Sequence, residues 1–423
     1  MKNLYHAVIS LVILSILSFN TAVKADSPNY EKKTLPNGIQ LIYKILPNSP
    51  TVTARFVVPV GFLDEPRELR GISHLLEHLI YRGSAKYPAE AFQESILEMG
   101  GEYNGSTWLD YTEFHMVMPT EHYLQAFNVY ADCLFHPELD EKTVELEKKI
   151  VMVEKSIRKS PGSIEWLYIS QLTDDRFDYN VANVQRNDLI QYHQKHYLPN
   201  QMTLILTGSF QLDEVIKCLS NYGDRSKPAY YNRPVTEIHP VDLDLQDFLQ
   251  GEQYKIVFSF DLDKLNGKDL TIAKVLPYLL YYESGNYDNA TNRSLEYEPW
   301  FLNYGSHYGL ALFYRDCQET YSPEMDAWHK KNLERYCKFL KAKNFDRFLK
   351  TFRDVVGRSY QTMDSDSYNL NNYYFSLRYE PTAITENDLN TMGNLQSSDF
   401  KGFVQKYLEG KPYHKIIIRT IQE

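Results

Sequence analysis

"DLIQYHQKHYLPNQMTLILTGS" (Asp188–Ser209) and "DFKGFVQKYLEGKPYHKIIIRT" (Asp399–Thr420) read as two versions of one segment. Each opens with Asp, places Gln-Lys six and seven residues later, and finishes in a strand. The likeness extends upstream. "FHMVMPTEHYLQAFNVYADCLFHP" from Phe114 and "LALFYRDCQETYSPEMDAWHKKNLERYCKFL" from Leu310 both run from a strand pattern into a long helix. Alternating strands, "VTARFVVPV" from Val52 and "YKIVFSF" from Tyr254, open the two halves, and amphipathic helices follow. We therefore expect an α+β chain of two homologous domains. Each is a mainly antiparallel sheet with helices packed on one face.

The 423 residues leave room for two such units. Pro228, Pro234 and Pro240 punctuate the polar stretch "KPAYYNRPVTEIHPVDLDLQ", which reads as a linker. The expected boundaries are a leader over 1–25, a first domain over 26–230, a linker over 231–250 and a second domain over 251–423. The leader has Lys2, a short apolar run from Ala7 to Phe19 and a Val23-Lys24-Ala25 cleavage pattern. The run is too short for a confident membrane span. We expect an exported chain, periplasmic or secreted, with no stable membrane insertion once the leader is cleaved. A net charge of −10 without a Lys/Arg-rich block argues against nucleic acid as a partner. Cys133, Cys218, Cys317 and Cys337 show no C-x-x-C spacing, and either pairing or free thiols would suit an exported chain of this size.

Chemistry enters with "GISHLLEHLIYRGS", Gly71–Ser84. On a helical wheel with His74 at zero, Glu77 falls at about 300°, His78 at about 40° and Tyr81 at about 340°. Leu75, Leu76, Leu79 and Ile80 take the opposite side, so one face packs and the other gathers two imidazoles and a carboxylate. Ser73 is the expected cap at the helix start and Gly83 at its end. Histidines at i and i+4 can reach one zinc ion, and H-x-x-E-H is the inverzincin pattern. A hydrolytic zinc usually has a third protein ligand and an open position. "DEKTVELEKKIVMVEKSIRKS" supplies candidates. Glu147 and Glu154 lie two turns apart, in the middle of a helix face with Val144, Val151, Ile150, Ile157, Leu146 and Val153. A carboxylate on a packing face is costly unless something pairs with it. The pairing is either a metal or a buried salt bridge.

These residues resemble the M16 (insulinase/pitrilysin) metallopeptidase family, in particular its short two-domain bacterial and mitochondrial processing peptidase-like members. The resemblance rests on "LPNGIQLIY", "VGFLDEPRELRGISHLLEHLIYRGSAKYP", "LEMGGEYNGSTWLDYTEF", "VELEKKIVMVEKSI" and "YLPNQMTLILTGSF". It is strong over 34–210 and mostly architectural over 240–423. It implies a zinc-dependent endopeptidase or oligopeptidase that hydrolyses unfolded peptides in a closed chamber. One Zn2+ per chain would be held by His74, His78 and Glu154. Glu77 would be the proton carrier, and Glu147 would orient a ligand. Asn104 would contact the substrate backbone; the family usually has Ala where Gly105 stands.

The second half has no H-x-x-E-H, and its corresponding region reads "IAKVLPYLLYYESG". The family's arginine and tyrosine substrate contacts have only loose counterparts in Arg293, Tyr304, Tyr308, Tyr314 and Arg315. The expected partners are peptide substrates and a second M16-like chain, with a heterodimer slightly favoured over a homodimer. The alternative is a non-catalytic M16-like structural or peptide-binding subunit. A zinc-stabilised module without hydrolysis is a third reading.

Overall fold

The computed structural model describes residues 30–108, 110–158 and 181–222 of the first half. In the second half it describes 243–246, 254–262, 265, 267–284, 296–303, 308–316, 324–342, 345–347, 349–353, 366–379 and 384–419. The first half contributes strands β1 (Glu31–Thr34), β2 (Gln40–Ile45), β3 (Thr51–Val58), β4 (Glu102–Thr107), β5 (Thr112–Pro119) and β6 (Thr203–Gly208). Its helices are α1 (Ile72–Ile80), α2 (Ala89–Glu98), α3 (Tyr123–Phe135), α4 (Glu141–Arg158), α5 (Arg186–His196) and α6 (Leu212–Leu219). The second half contributes β7 (Leu243–Gln246), β8 (Tyr254–Asp261), β9 (Glu296–Asn303), β10 (Tyr308–Asp316) and β11 (His414–Arg419). Its helices include α7 (Gly267–Ser284), α8 (Glu324–Leu340), α9 (Ser367–Tyr379), α10 (Glu386–Asn394) and α11 (Ser397–Tyr407).

The first sheet has the order β1-β2-β6-β3-β5-β4 and the second β7-β11-β8-β10-β9. Apart from β1, the two orders correspond strand for strand. In each sheet one pair is parallel, β2–β6 in the first and β11–β7 in the second, and the others are antiparallel. The repeated segment explains the parallel strand. In the first copy the Asp188 carboxylate accepts from the Gln185 backbone N–H at 2.8 Å and starts α5, which leads into β6. In the second, Asp399 accepts from Gln396 at 2.8 Å and starts α11, which leads into β11. This reciprocal cap fixes the helix start in both copies. The α+β class and its duplication are as expected.

One face of the first sheet carries the main core, where Ala54, Phe56 and Phe114 meet Leu75, Leu79 and Phe127. The opposite face is also covered, by α9 of the second half. Ile42, Val57 and Ile205 join Leu370, Tyr373 and Tyr374 in a second cluster. β3 is consequently buried on both faces, which its near-continuous apolar run permits. Its one charged residue, Arg55, is 5% exposed and pairs with Glu113 on β5. The guanidinium also donates to Asn371 and Asn372 of α9 and lies 4.4 Å from the Phe375 ring centroid. Asn371 donates in turn to the Thr53 and Ile205 carbonyls at 3.0 and 2.9 Å. The halves thus meet through a satisfied polar seam set in apolar surroundings.

Three sequence expectations need adjustment. Within the stretch 231–250 read as a linker, β7 joins the second sheet; the alternation in "VDLDLQ" outweighs the prolines around it. On α4, Leu146 and Val153 are exposed, so the packed face is narrower than the wheel suggests and centres on Val144, Glu147 and Val151. Ser73 does not cap α1, as described below. Cys133, Cys218 and Cys337 are free thiols. Cys317, the leader, Arg293 and Tyr304 lie outside the described residues, while Tyr308, Tyr314 and Arg315 fall on β10. No helix among the described residues is long and apolar enough to cross a membrane.

Candidate metal centre

The helix α1 carries three of the predicted residues, and its position is fixed from both ends. Its N-terminal residue Gly71 has φ of 91°, a left-handed turn that favours glycine. The orphan backbone N–H groups of Gly71 and Ser73 donate to the two carboxylate oxygens of Glu65 at 2.7 and 2.8 Å. The sequence places the cap on Ser73, but Ser73 lies inside the helix and its hydroxyl meets that of Tyr192 at 2.9 Å. Burial raises the Glu65 pKa from 4.5 to about 7, against the lowering effect of the two N–H donors. At the other end Gly83, also with φ of 91°, ends the helical run.

The packed face of α1 holds Leu75, Leu76, Leu79 and Ile80, all buried. The other face turns toward α4 and β4. His74 is 2% exposed, and its Nε2 stands 3.3 Å from Nε2 of His78. Oε2 of Glu154 lies 3.6 Å from the first nitrogen and 3.5 Å from the second. These three donors form one cluster with metal-ligand geometry among the described residues. Ligands on a tetrahedral zinc at ~2.0–2.1 Å stand about 3.3–3.4 Å from one another. The observed triangle has nearly that edge length, and two imidazoles with one carboxylate are a usual zinc donor set, so the residues present fit a zinc ion.

Glu147, two turns before Glu154 on α4, is fully buried. It accepts from Nδ1 of His78 at 3.0 Å and from Nε of Arg82 at 2.7 Å. With the proton on Nδ1, the His78 lone pair is on Nε2, facing Glu154. Burial pushes the Glu147 carboxyl up, but the His78 bond and the Arg82 charge outweigh it and hold the pKa below the usual value. Burial also pulls the His78 pKa down; the bond to Glu147 and the charges of Glu154 and Glu77 reverse this and raise it. The same surroundings favour any cation at the ring nitrogens, a proton or a divalent metal.

Glu77 is also buried and is not among the three clustered donors. Its Oε2 accepts from the Thr107 hydroxyl of β4 at 2.7 Å. Asn104 is exposed on the same strand, with its side-chain oxygen on the Gly105 N–H at 2.9 Å. Its cross-strand partner is His115, which is itself paired with Arg55. Residues paired in this way share a face, so Asn104 sits on the α9 side of the sheet, whereas Thr107 meets Glu77 on the α1 side. The structure therefore brings His74, Glu77, His78, Glu147 and Glu154 together and leaves Asn104 at the sheet edge. Sequence reasoning missed Glu65, Arg82 and Thr107. Arg82 had a local signal, its spacing of four residues from His78, although it lies in the turn just beyond α1; Glu65 and Thr107 depend on tertiary contacts.

Residues 41–195 match the family profile for insulinase, peptidase family M16, and residues 183–351 that for the M16 inactive domain. A probable mitochondrial-processing peptidase subunit beta of Arabidopsis thaliana is 25% identical over 203 residues, 45% of this chain and 38% of that one. An uncharacterized zinc protease, YmxG, of Bacillus subtilis is 27% identical over 220 residues, 48% of this chain and 53% of that one. The chain thus spans about half the length of these relatives or less. Among solved structures, a protease from Helicobacter pylori superposes with a TM-score of 0.78 at 15% identity, covering 93% of this chain and all of that one. The first half of the periplasmic protease PqqL from Escherichia coli gives 0.65 at 15% identity, covering 95% and 94%. At such identities these two likenesses speak for the fold alone. The two profile matches, which together run from the first sheet well into the second half, place the chain in the M16 peptidase family.

Proposed function

We propose that this chain is a zinc-dependent endopeptidase or oligopeptidase acting on unfolded peptides. The observation that carries the proposal is the triangle of His74, His78 and Glu154 donors, 3.3 to 3.6 Å on edge, with Glu77 on the same helix. His74, His78 and Glu154 would hold the ion, and Glu147 would orient His78. A bound zinc supplies Lewis acidity, polarising a carbonyl and lowering the pKa of water from 15.7 toward about 7. Glu77, fixed by Thr107, takes the proton of the attacking water at its carboxylate and delivers it to the leaving amine.

β4 is an edge strand of the first sheet. Among the described residues no strand pairs with its outer edge, which suits an extended peptide added as a further strand. Such a peptide would lie beside Glu77, and Asn104 would be the residue to contact its backbone. This mode selects for unfolded segments rather than for a strict side-chain sequence. Among the described residues, α7, in the position equivalent to α1, carries no metal-ligand cluster. There Lys274 pairs with Asp388 at 2.9 Å and Thr271 donates to the same carboxylate at 2.7 Å. We assign the chemistry to residues 26–230 and a supporting role to 251–423. A second M16-like chain would complete a closed chamber, a heterodimer before a homodimer. Export to the periplasm or beyond, with the leader over 1–25 removed, completes the reading.

The test is a metal assay on the purified chain followed by cleavage of a mixed peptide pool. The zinc-loaded wild type should cut, and Glu77→Gln should keep one zinc per chain while losing cleavage. Equal cleavage by the variant would remove Glu77 from the mechanism. Zinc binding without cleavage, alone or with an M16-like partner, would favour the non-catalytic subunit.

A further inference from the structure

Gly105 is strand backbone without a positive φ, so space rather than conformation calls for glycine there. A Cβ at this position would lie 2.8 Å from the Tyr81 hydroxyl, 2.9 Å from Oε1 of Glu77 and 3.0 Å from Cε2 of Tyr81. Real Cβ atoms do not approach so closely, and something would have to move. Tyr81 has little freedom to move. Its ring packs against Tyr103, Phe114, Phe92 and Tyr130, with centroids 5.0 to 6.1 Å away. Its hydroxyl meets that of Tyr130 at 2.8 Å. Glu77 is the easier group to displace; its Oε1 faces Gly105, while its other oxygen, Oε2, accepts from Thr107.

We propose that Tyr81 is a positioning residue for Glu77: its hydroxyl fills the space left by the missing Cβ of Gly105 and, opposite Thr107, fixes the carboxylate beside the metal donors. The hydroxyl and the Glu77 carboxylate both lie within 3 Å of the point that Cβ would take, which puts them at most about 6 Å apart. Burial, Tyr130 and then the Glu77 charge all raise the Tyr81 pKa, so the phenol keeps its proton. A protonated hydroxyl does not compete for the proton that Glu77 carries. Gly105 and Tyr81 are then a matched pair, and a side chain at 105 acts on the reaction by way of Glu77. The inference rests on the proton-carrying reading of Glu77 given above.

The test is a cycle of four zinc-loaded proteins: wild type, Gly105→Ala, Tyr81→Phe and the double variant. Gly105→Ala should retain zinc, keep KM within about threefold and lower kcat roughly ten- to hundredfold, the scale on which a misplaced group acts. Tyr81→Phe should shift the acidic limb of the kcat–pH profile, a change that a purely structural role would not produce. In the Tyr81→Phe background the nearest of the three contacts is gone while those to Glu77 and Cε2 remain, so the added methyl should lower kcat and the unfolding midpoint by less than in the wild type. Wild-type kcat in Gly105→Ala, or equal losses in both backgrounds, would overturn the pairing. An unshifted pH profile in Tyr81→Phe would overturn the positioning role. If the zinc-loaded wild type cleaves nothing, the reading of Glu77 falls and the role of Tyr81 with it; if the wild type cleaves and the cycle is additive, the role of Tyr81 alone falls.

Discussion

Nδ1 of His78 and Oε2 of Glu147 stand 3.0 Å apart, joining α1 to α4 through a fully buried carboxylate. The other oxygen of Glu147 holds Arg82 at 2.7 Å. Glu147 is thus fixed at both ends, and His78 has one tautomer available. Partners of this kind typically contribute 10- to 100-fold in metal affinity. Glu147→Gln should weaken zinc binding by about that factor, measured by competition with a chromophoric chelator. An unchanged affinity would remove the orienting role.

The buried Arg55–Glu113 pair makes a prediction about the two halves. Arg55→Met leaves Glu113 buried and uncompensated and removes the contacts to Asn371, Asn372 and Phe375. Breaking a buried pair from one side costs about 3–5 kcal/mol. The urea unfolding midpoint should fall accordingly, and adding Glu113→Gln should recover part of the loss. A midpoint equal to that of the wild type would show that the seam contributes little to stability.

Glu65 gives a pH dependence of definite sign. Its pKa is raised by burial from 4.5 to about 7 in the folded chain. Between those values the folded chain binds more protons than the unfolded one, so stability from this group is greatest below pH 4.5 and declines as the pH rises through 7. The slope is at most about 1.4 kcal/mol per pH unit. Glu65→Gln abolishes the term. Melting curves from pH 5 to 8 should therefore shift in favour of the variant as the pH rises, and parallel curves would contradict the assignment.

Chelation should separate activity from folding. Beside the donors, Leu75, Leu79, Val144 and Val151 are already buried. A helix pair with its own core does not need a metal to form. EDTA should abolish peptide cleavage with little change in the far-ultraviolet circular dichroism. Collapse of the spectrum would instead make the metal a structural one.

Much of this was legible in the sequence, for reasons that vary with the range of the interactions. The Asp188 and Asp399 segments announced the duplication because a capped helix and its following strand are local structures. His74, Glu77 and His78 were legible because they lie within two turns of one helix. Glu147 and Glu154 were legible because a carboxylate among valines is anomalous. The cap on α1 was not: Ser73 is a good capping residue, but Glu65 reaches the same N–H groups from a preceding loop. Leu146 and Val153 misled because a wheel cannot say how wide a contact is. The covering of the first sheet by α9 had no local signal, since Arg55 and Asn371 are 316 residues apart.

The most direct measurement is an anomalous diffraction map of zinc-soaked crystals, recorded at the zinc edge. The account predicts one strong peak per chain, about 2.0–2.1 Å from Nε2 of His74, Nε2 of His78 and a carboxylate oxygen of Glu154. It also predicts that Glu77 stays outside bonding distance of that peak. A peak elsewhere, or one coordinated by Glu77 with Glu154 turned away, would contradict it.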